Sequence, residues 1–249
     1  MIQSNFMEKL LDGVEVEWKS LGEIGEVRMC KRILKEQTLE TGDIPFYKIG
    51  TFGKEANAYI SRELFEEYKS KYSYPKIGEV LISPSGTIGR TDIFDGQDAY
   101  FQDSNTVWIE NDESLVLNKY LYYFYKIVKW DVSEGGTIRR LYNENLKKTL
   151  IPIPHLKVQE EIVRILDTFT ELTSELTSEL TARKKQYTYY RDKLLSFEEG
   201  EVEWKELGEI GELVRGSGLP KSDFTEIGVP AIHYGQIYTY YGTFTKETK

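Results

Sequence analysis

Four short stretches hold side chains whose types and spacing suit the binding of a polyanion rather than the making or breaking of bonds. Lys31, Arg32 and Lys35, with Arg28, gather positive charge against only Glu26 and Glu36. Such a cluster suits phosphate contact, and equally a solvated face. Ser85-Gly86-Thr87 with Arg90 puts small donors, a close-approach glycine and a guanidinium in one loop. Arginine can grip guanine with two bonds, and serine or threonine can meet phosphate or base edges; the alternative is a plain structural turn. Gln102, Ser104 and Asn105 offer amides and a hydroxyl, suited to adenine edges or to scaffolding. Gly135-Gly136-Thr137 leads into Arg139 and Arg140, a loop ending in two positive charges placed for phosphate.

Catalytic chemistry finds no comparable pattern, and no catalytic residue, metal ligand or cofactor is assigned. Gly50-Thr51-Phe52-Gly53-Lys54 lacks the first glycine of a phosphate-cradling loop, and no GxGxxG occurs. The Asn/Asp-Pro-Pro-aromatic quartet that adenine methyltransferases close on a flipped base is absent. With Cys30 as the one cysteine and only His155 and His233, a zinc site is not expected. Cys30 reads as a small apolar core residue, and His155 as a capping or surface group. Glu66-Glu67 and Glu160-Glu161 read as solvated charge on helices, and Tyr47, Tyr59 and Tyr100 as core or strand-face residues.

The elements that must position these loops follow from composition and pattern. The chain has 249 residues, 40% of them hydrophobic, with 18 Tyr and 11 Phe, so a sizeable core is expected. A net charge of −9 argues against a surface coated in positive charge, but leaves room for a local basic face. The single cysteine fits a reducing cytoplasm, and neither a signal peptide nor a membrane span is visible. Residues 1–13 read as a short helix. Segments 44–50, 79–83 and 105–109 read as strands bounded by Gly and Pro, and Leu115–Trp130 as a helix packed on the sheet. Ile151-Pro152-Ile153-Pro154 halts the globular pattern.

After the prolines the character changes. From Leu156 to Phe197 there is neither Gly nor Pro, and Ile162, Ile165, Leu166, Phe169, Leu172, Leu176 and Leu180 form one stripe, continued by Tyr187, Tyr190 and Leu194. That is a helix of about 60 Å, too long to bury its stripe alone. Glu171, Glu175 and Glu179 precede Arg183, Lys184 and Lys185, an order that suits the helix dipole and an antiparallel partner of the same sequence. Within it the unit Glu-Leu-Thr-Ser recurs every four residues from Glu171, as coiled-coil filler or as a spacer. Finally, VEWKSLGEIGEV at 16–27 returns as VEWKELGEIGEL at 202–213. A repeat of this length is one structural unit used twice, so the chain is expected to hold one complete unit and the truncated start of a second.

Gly135-Gly136-Thr137-Ile138-Arg139-Arg140-Leu141, Leu146-Lys147-Lys148, IPIPHLKVQEEIVRILD and RKKQYTYYRDKLLSF together resemble the specificity subunit of type I restriction–modification enzymes. Pro84-Ser85-Gly86-Thr87-Ile88-Gly89-Arg90 and Gln102-Asp103-Ser104-Asn105-Thr106 are similar to recurring phrases of that family's target-recognition domains. The resemblance covers nearly the whole chain and is most specific over 151–197. It implies an α+β fold: a target-recognition domain over 14–155, a long helix over 156–197 that pairs as an antiparallel coiled coil, and a truncated second domain from 198 to 249. It implies a non-catalytic DNA-reading role, on one half of a split site. Its partners would be double-stranded DNA, adenine methyltransferase subunits and, through them, restriction subunits. With one domain and one helix, a homodimer through Ile162, Leu166, Phe169, Leu172, Leu176 and Leu180 is the economical assembly, reading a palindromic split site. The rival reading is a decoy that binds methyltransferase subunits without specific DNA recognition.

Overall fold

The computed structural model describes residues 13–103, 105–132, 139–215, 218, 220–225, 227–229, 232 and 234–241. The chain divides into two compact units, 1–185 and 186–249, whose boundary falls inside the long helix. The expected helix over residues 1–13 lies almost wholly outside the described residues.

In the first unit, strand and helix alternate through two hydrophobic clusters. The central sheet has four antiparallel strands in the order β2 (Gly25–Arg28), β8 (Val107–Asn111), β5 (Val80–Ile82), β6 (Thr91–Ile93). Strand side chains alternate faces, and here both faces are covered. Val80, Ile82, Val107 and Ile109 enter one core; Leu81 and Trp108 enter the other. The second core is closed by β4 (Tyr59–Ile60), β3 (Ile44–Tyr47) and β7 (Tyr100–Phe101), with β3 and β7 parallel, and by α2 (Arg62–Lys71), which contributes Phe65. Ser61 starts α2 by accepting from the Leu64 amide, the usual N-cap arrangement.

The first core is closed by α1 (Leu21–Ile24), α3 (Asn118–Tyr125), α4 (Asn143–Lys148) and the start of α5 (Leu156–Leu194). The expected helix over 115–130 is shorter. Leu115 and Val116 turn back onto the Asp112 carbonyl instead, and the Asn111 side chain donates to the Val116 carbonyl at 2.6 Å. Trp130 leaves the helix to pack on Tyr125, ring centroids 5.4 Å apart.

The proline pair does more than halt the chain. Leu150–Pro154 is a strand, β9, paired antiparallel with β1 (Val16–Ser20) in register Val16↔Pro154, Trp18↔Pro152, Ser20↔Leu150. Prolines two apart can sit in a ladder only where their missing N–H points away from the partner. Pro152 and Pro154 therefore face outward from β1, and the carbonyls on that outer edge are taken. The Tyr120 hydroxyl donates to Pro152 O at 2.7 Å, and Gln159 Nε2 to Pro154 O at 2.8 Å.

Gln159, fully buried, fixes the departure of α5. Besides Pro154 O, its amide nitrogen donates to Leu115 O at 3.0 Å, and its oxygen accepts from the Leu117 amide at 3.0 Å. Two turns further, Asp167 takes Lys119 at 2.6 Å and the Tyr123 hydroxyl at 2.7 Å. Val158 and Val163 are buried, and Ile162 packs half-buried on the first core. Ile162 therefore belongs to its own head and not to a free partner face, a correction to the stripe read from the sequence. From Thr168 to Leu194 every residue of α5 is exposed.

In the second unit, α6 (Leu207–Ile210) is the described counterpart of α1.

Replacing Gln159 with Leu keeps the volume but orphans one amide and two carbonyls beside α5. Each buried orphan costs roughly 1–3 kcal/mol, so Gln159→Leu is expected to lower stability by about 3 kcal/mol. Urea unfolding followed by tryptophan fluorescence measures it; an unchanged midpoint would contradict the clasp.

Candidate nucleic-acid interface

Five segments converge at one end of the first unit: 29–35 after β2, 48–54 after β3, 83–90 between β5 and β6, 102–106 between β7 and β8, and 139–141. Backbone bonds tie them. Gln102 N–H donates to Tyr47 O, Leu141 N–H to Pro84 O, and Ser85 pairs with Arg140 in an isolated bridge. Side chains complete the network. The Ser85 hydroxyl donates to Asn105 Oδ1 at 2.7 Å, Arg90 Nη1 to Phe52 O at 2.9 Å, and the Ile49 amide to Gln102 Oε1 at 3.3 Å. Arg32 Nε meets Asp103 Oδ2 at 3.0 Å, with the arginine side chain 68% exposed and the carboxylate 16%.

The sequence candidates thus sort into two kinds. Ser85 is buried, and the Arg90 guanidinium, the Gln102 oxygen and the Asn105 oxygen are engaged inside the protein. They shape the platform, because each bond joins a different loop. Gly86 belongs with them: its φ of +69° favours glycine, and a Cβ there would lie 3.0 Å from the Ile49 side chain. The outward groups are Lys31, Arg32, Lys35, Thr87 and Arg139, all exposed; Arg140 is half-buried. Lys31 Nζ stands 5.1 Å over the Tyr72 ring, and its carbonyl accepts from the buried Tyr100 hydroxyl. Lys35 opens a single 3-10 turn, Lys35–Gln37. Ser104 and Thr137 lie outside the described residues.

Arg28 leaves the positive cluster. It is held by Glu26 at 2.8 Å and Glu110 at 2.8 Å, and Glu110 also takes Lys76 at 2.8 Å. The hydrogen bonds from Lys76 and Arg28 hold the Glu110 carboxyl below its ordinary range. Strand register explains the pairing, since Glu26 and Arg28 of β2 lie against Glu110 and Trp108 of β8.

Sequence reasoning missed the 48–54 loop, set aside as an incomplete phosphate cradle. It is instead the hub on which Gly86, Arg90 and Gln102 rest. The Thr51 hydroxyl accepts from the Lys48 amide at 3.0 Å, and Lys54 is exposed beside Gly53 at φ +69°. Its glycines and lysines were the available signal. Tyr47 stacks on Phe101 at 5.8 Å and Tyr100 is buried, as strand-face and core residues.

Among the described residues no cluster of three or more His, Cys, Asp or Glu is placed to hold a metal ion, and no helix is long and apolar enough to cross a membrane. His155 precedes α5, and its carbonyl accepts from the Val158 amide. Cys30 is buried, and desolvation pushes its thiol up to about 12.

Residues 13–183 match the family model of the type I restriction modification DNA specificity domain. A protein of Haemophilus influenzae named as a type I restriction enzyme specificity subunit is 64% identical over 197 residues, covering 77% of this chain and 51% of that protein. The EcoR124I/EcoR124II specificity subunit of Escherichia coli is 40% identical over 239 residues, covering 92% of this chain and 57% of that one. The chain spans about half the length of the curated relatives it matches. Among solved structures, the S subunit of a type I system from M. genitalium aligns with a TM-score of 0.51 at 18% identity, over 76% of this chain and 48% of that one. A chain from a study of type I R-M complex assembly aligns with a TM-score of 0.53 at 19% identity, over 72% and 45%. Both likenesses concern the fold.

A thiolate is the reactive form of cysteine, so Cys30 should resist thiol reagents in the folded protein. Ellman's reagent is expected to release no colour until denaturant is added; one equivalent released promptly under native conditions would contradict this burial.

Proposed function

This chain belongs to the family of type I restriction–modification DNA specificity domains, and from that premise we propose that it is a non-catalytic DNA-reading subunit. It contacts one half of a split site through the convergent loops, docks adenine methyltransferase subunits, and pairs with a second copy through α5. The observation that carries the DNA-reading role is the loop end itself. A platform cross-braced by Ser85, Arg90, Gln102 and Asn105 presents Lys31, Arg32, Lys35, Thr87 and Arg139 outward. Phosphate contacts from such cations set position and affinity, and groups aimed at base edges set sequence. The acidic remainder of the chain limits indiscriminate binding. A cytoplasmic location follows from this role.

The pairing is supported by the stripe. Phe169, Leu172, Leu176 and Leu180 are 48%, 48%, 66% and 55% exposed. Much of the apolar spacing is the same read from either end about Ser178, with Leu172 opposite Lys184 and Ile165 opposite Arg191 as the exceptions. Leu176 mirrors Leu180, Phe169 mirrors Tyr187, and Leu166 mirrors Tyr190. The same centre sets Glu171 against Lys185. A stripe with this partial mirror symmetry suits an antiparallel, two-fold pair, in which Leu166, Phe169 and Leu176 each meet an apolar residue. Two-fold pairing makes the two half-sites inverted copies of each other.

Two experiments test this reading. The chain at micromolar concentration should scatter light as a dimer, and Leu176→Asp with Leu180→Asp should scatter as a monomer; a monomeric parent chain contradicts the pairing. Co-expression with a cognate methyltransferase subunit, followed by mapping of modified adenines, should reveal an inverted, split site. One more Glu-Leu-Thr-Ser unit lengthens α5 by about 6 Å, against about 3.4 Å per base pair. The gap should widen by one to two base pairs; an unchanged gap removes the spacer role, and a complex without specific methylation favours a decoy.

A further inference from the structure

The repeat has two copies with one local fold and two fates. Val16–Val27 and 202–213 agree at ten of twelve positions, differing at Ser20/Glu206 and Val27/Leu213. Each begins its short helix from an extended residue, Ser20 at φ −76°, ψ 152° and Glu206 at φ −70°, ψ 147°. In each the first residue's amide bonds the glutamate three residues on, Glu23 at 2.7 Å and Glu209 at 3.3 Å. Yet Leu21 and Ile24 are 0% and 6% exposed, whereas Leu207 and Ile210 are 82% and 65% exposed.

The first copy shows what such a segment packs on. β1 lies along β9; the Leu21 amide donates to Thr149 O at 2.9 Å; Gly22 faces Lys147 of α4, where an added Cβ would come within 3.1 Å of the lysine Cβ. Leu21 and Ile24 join Leu141, Leu146 and Ile151 in the core. β9 offers this seat once. Its outer edge lacks N–H groups at Pro152 and Pro154, and both outer carbonyls are bonded. A second copy therefore cannot add as a third strand beyond β9.

We infer that in the antiparallel homodimer the second copy of each chain, Val202–Leu213, takes the seat on the partner's β9 and α4 in place of the partner's own Val16–Val27. The inference rests on the pairing proposed above. Counting outward from Ser178, Val202 stands as far along the chain as Pro154, and Trp204 as far as Pro152. These are the counterparts of the register pairs Val16↔Pro154 and Trp18↔Pro152. In helix units Leu156 lies about 33 Å from the centre and Leu194 about 24 Å. The residues from Leu194 to Val202 can span up to about 26 Å, which covers the difference. Pairing through α5 makes the exchange intramolecular within the dimer, at effective concentrations of order millimolar.

The test uses full-length chains with two tags, one carrying Trp204→Cys and the other Pro152→Cys, co-purified and oxidised with glutathione disulfide. Residues opposite each other at a non-hydrogen-bonded position lie close enough to bridge. A disulfide joining the two tags is the expected result. A single chain with Trp18→Cys and Pro152→Cys should close within itself, which verifies that the seat survives substitution. If that control closes and light scattering reports a dimer, yet no bond joins the tags, the exchange is overturned while the homodimer stands. A chain carrying both Trp204→Cys and Pro152→Cys that closes only within itself also overturns it. A monomer by scattering removes the pairing and the exchange together.

Discussion

The side chain of Gln159 is the interaction on which the seating of α5 depends. A 39-residue helix can be aimed only where it is held, and α5 is held over its first turns. A carboxamide buried without partners would be costly. Here both ends of the amide are satisfied by three backbone groups from β9 and from the turn before α3. Asp167 adds a second fixing point through Lys119 and Tyr123, two turns along. Two points on a rigid rod define a direction. From Thr168 to Leu194 every residue of α5 is exposed.

The same logic of internal satisfaction governs the loop end. Loops that carry binding groups gain precision when their polar atoms are tied to one another rather than to water. Ser85 to Asn105, Arg90 to Phe52 and Gln102 to Ile49 are such ties, each crossing between segments distant in sequence. The charge follows a parallel division. Arg28 and Lys76 are neutralised around Glu110 on the strand side, while Lys31, Lys35 and Arg139 remain exposed at the loop end. A chain of net charge −9 can in this way carry a local positive face.

Much of the fold was legible in the sequence, and the misses share a cause. Strands expected at 44–50, 79–83 and 105–109 from local composition form as β3, β5 and β8 within or overlapping those ranges, and the helix from Leu156 and the repeat were equally visible. What composition could not give was partnership. Ile151–Pro154 reads as a break because prolines disfavour ladders, yet it pairs with β1, far upstream in the sequence, by turning its donor-less edge outward. The aromatic run at 115–130 reads as one helix, yet Asn111 and Asp112 reel in its first residues. At the loop end, residue type picked out loops that the structure ties together, but not the direction of each side chain. Ser85 and Arg139 look alike as candidates in sequence; one is buried in the platform and the other faces outward.

The repeat separates local from tertiary information more cleanly than any mutation could. Both copies turn at the same residue, start their helix from the same backbone angles and bond the same glutamate. Those features must be encoded within the twelve residues, because the second copy attains them with Leu207 and Ile210 bare. The strand is different. Val16–Ser20 is a strand beside β9, whereas 202–206, alike in four of five residues, form none. A ladder needs a second chain segment, while a helical turn does not. The first copy therefore owes its β conformation to Leu150–Pro154, and a second copy brought against an equivalent edge has every side chain needed to adopt it.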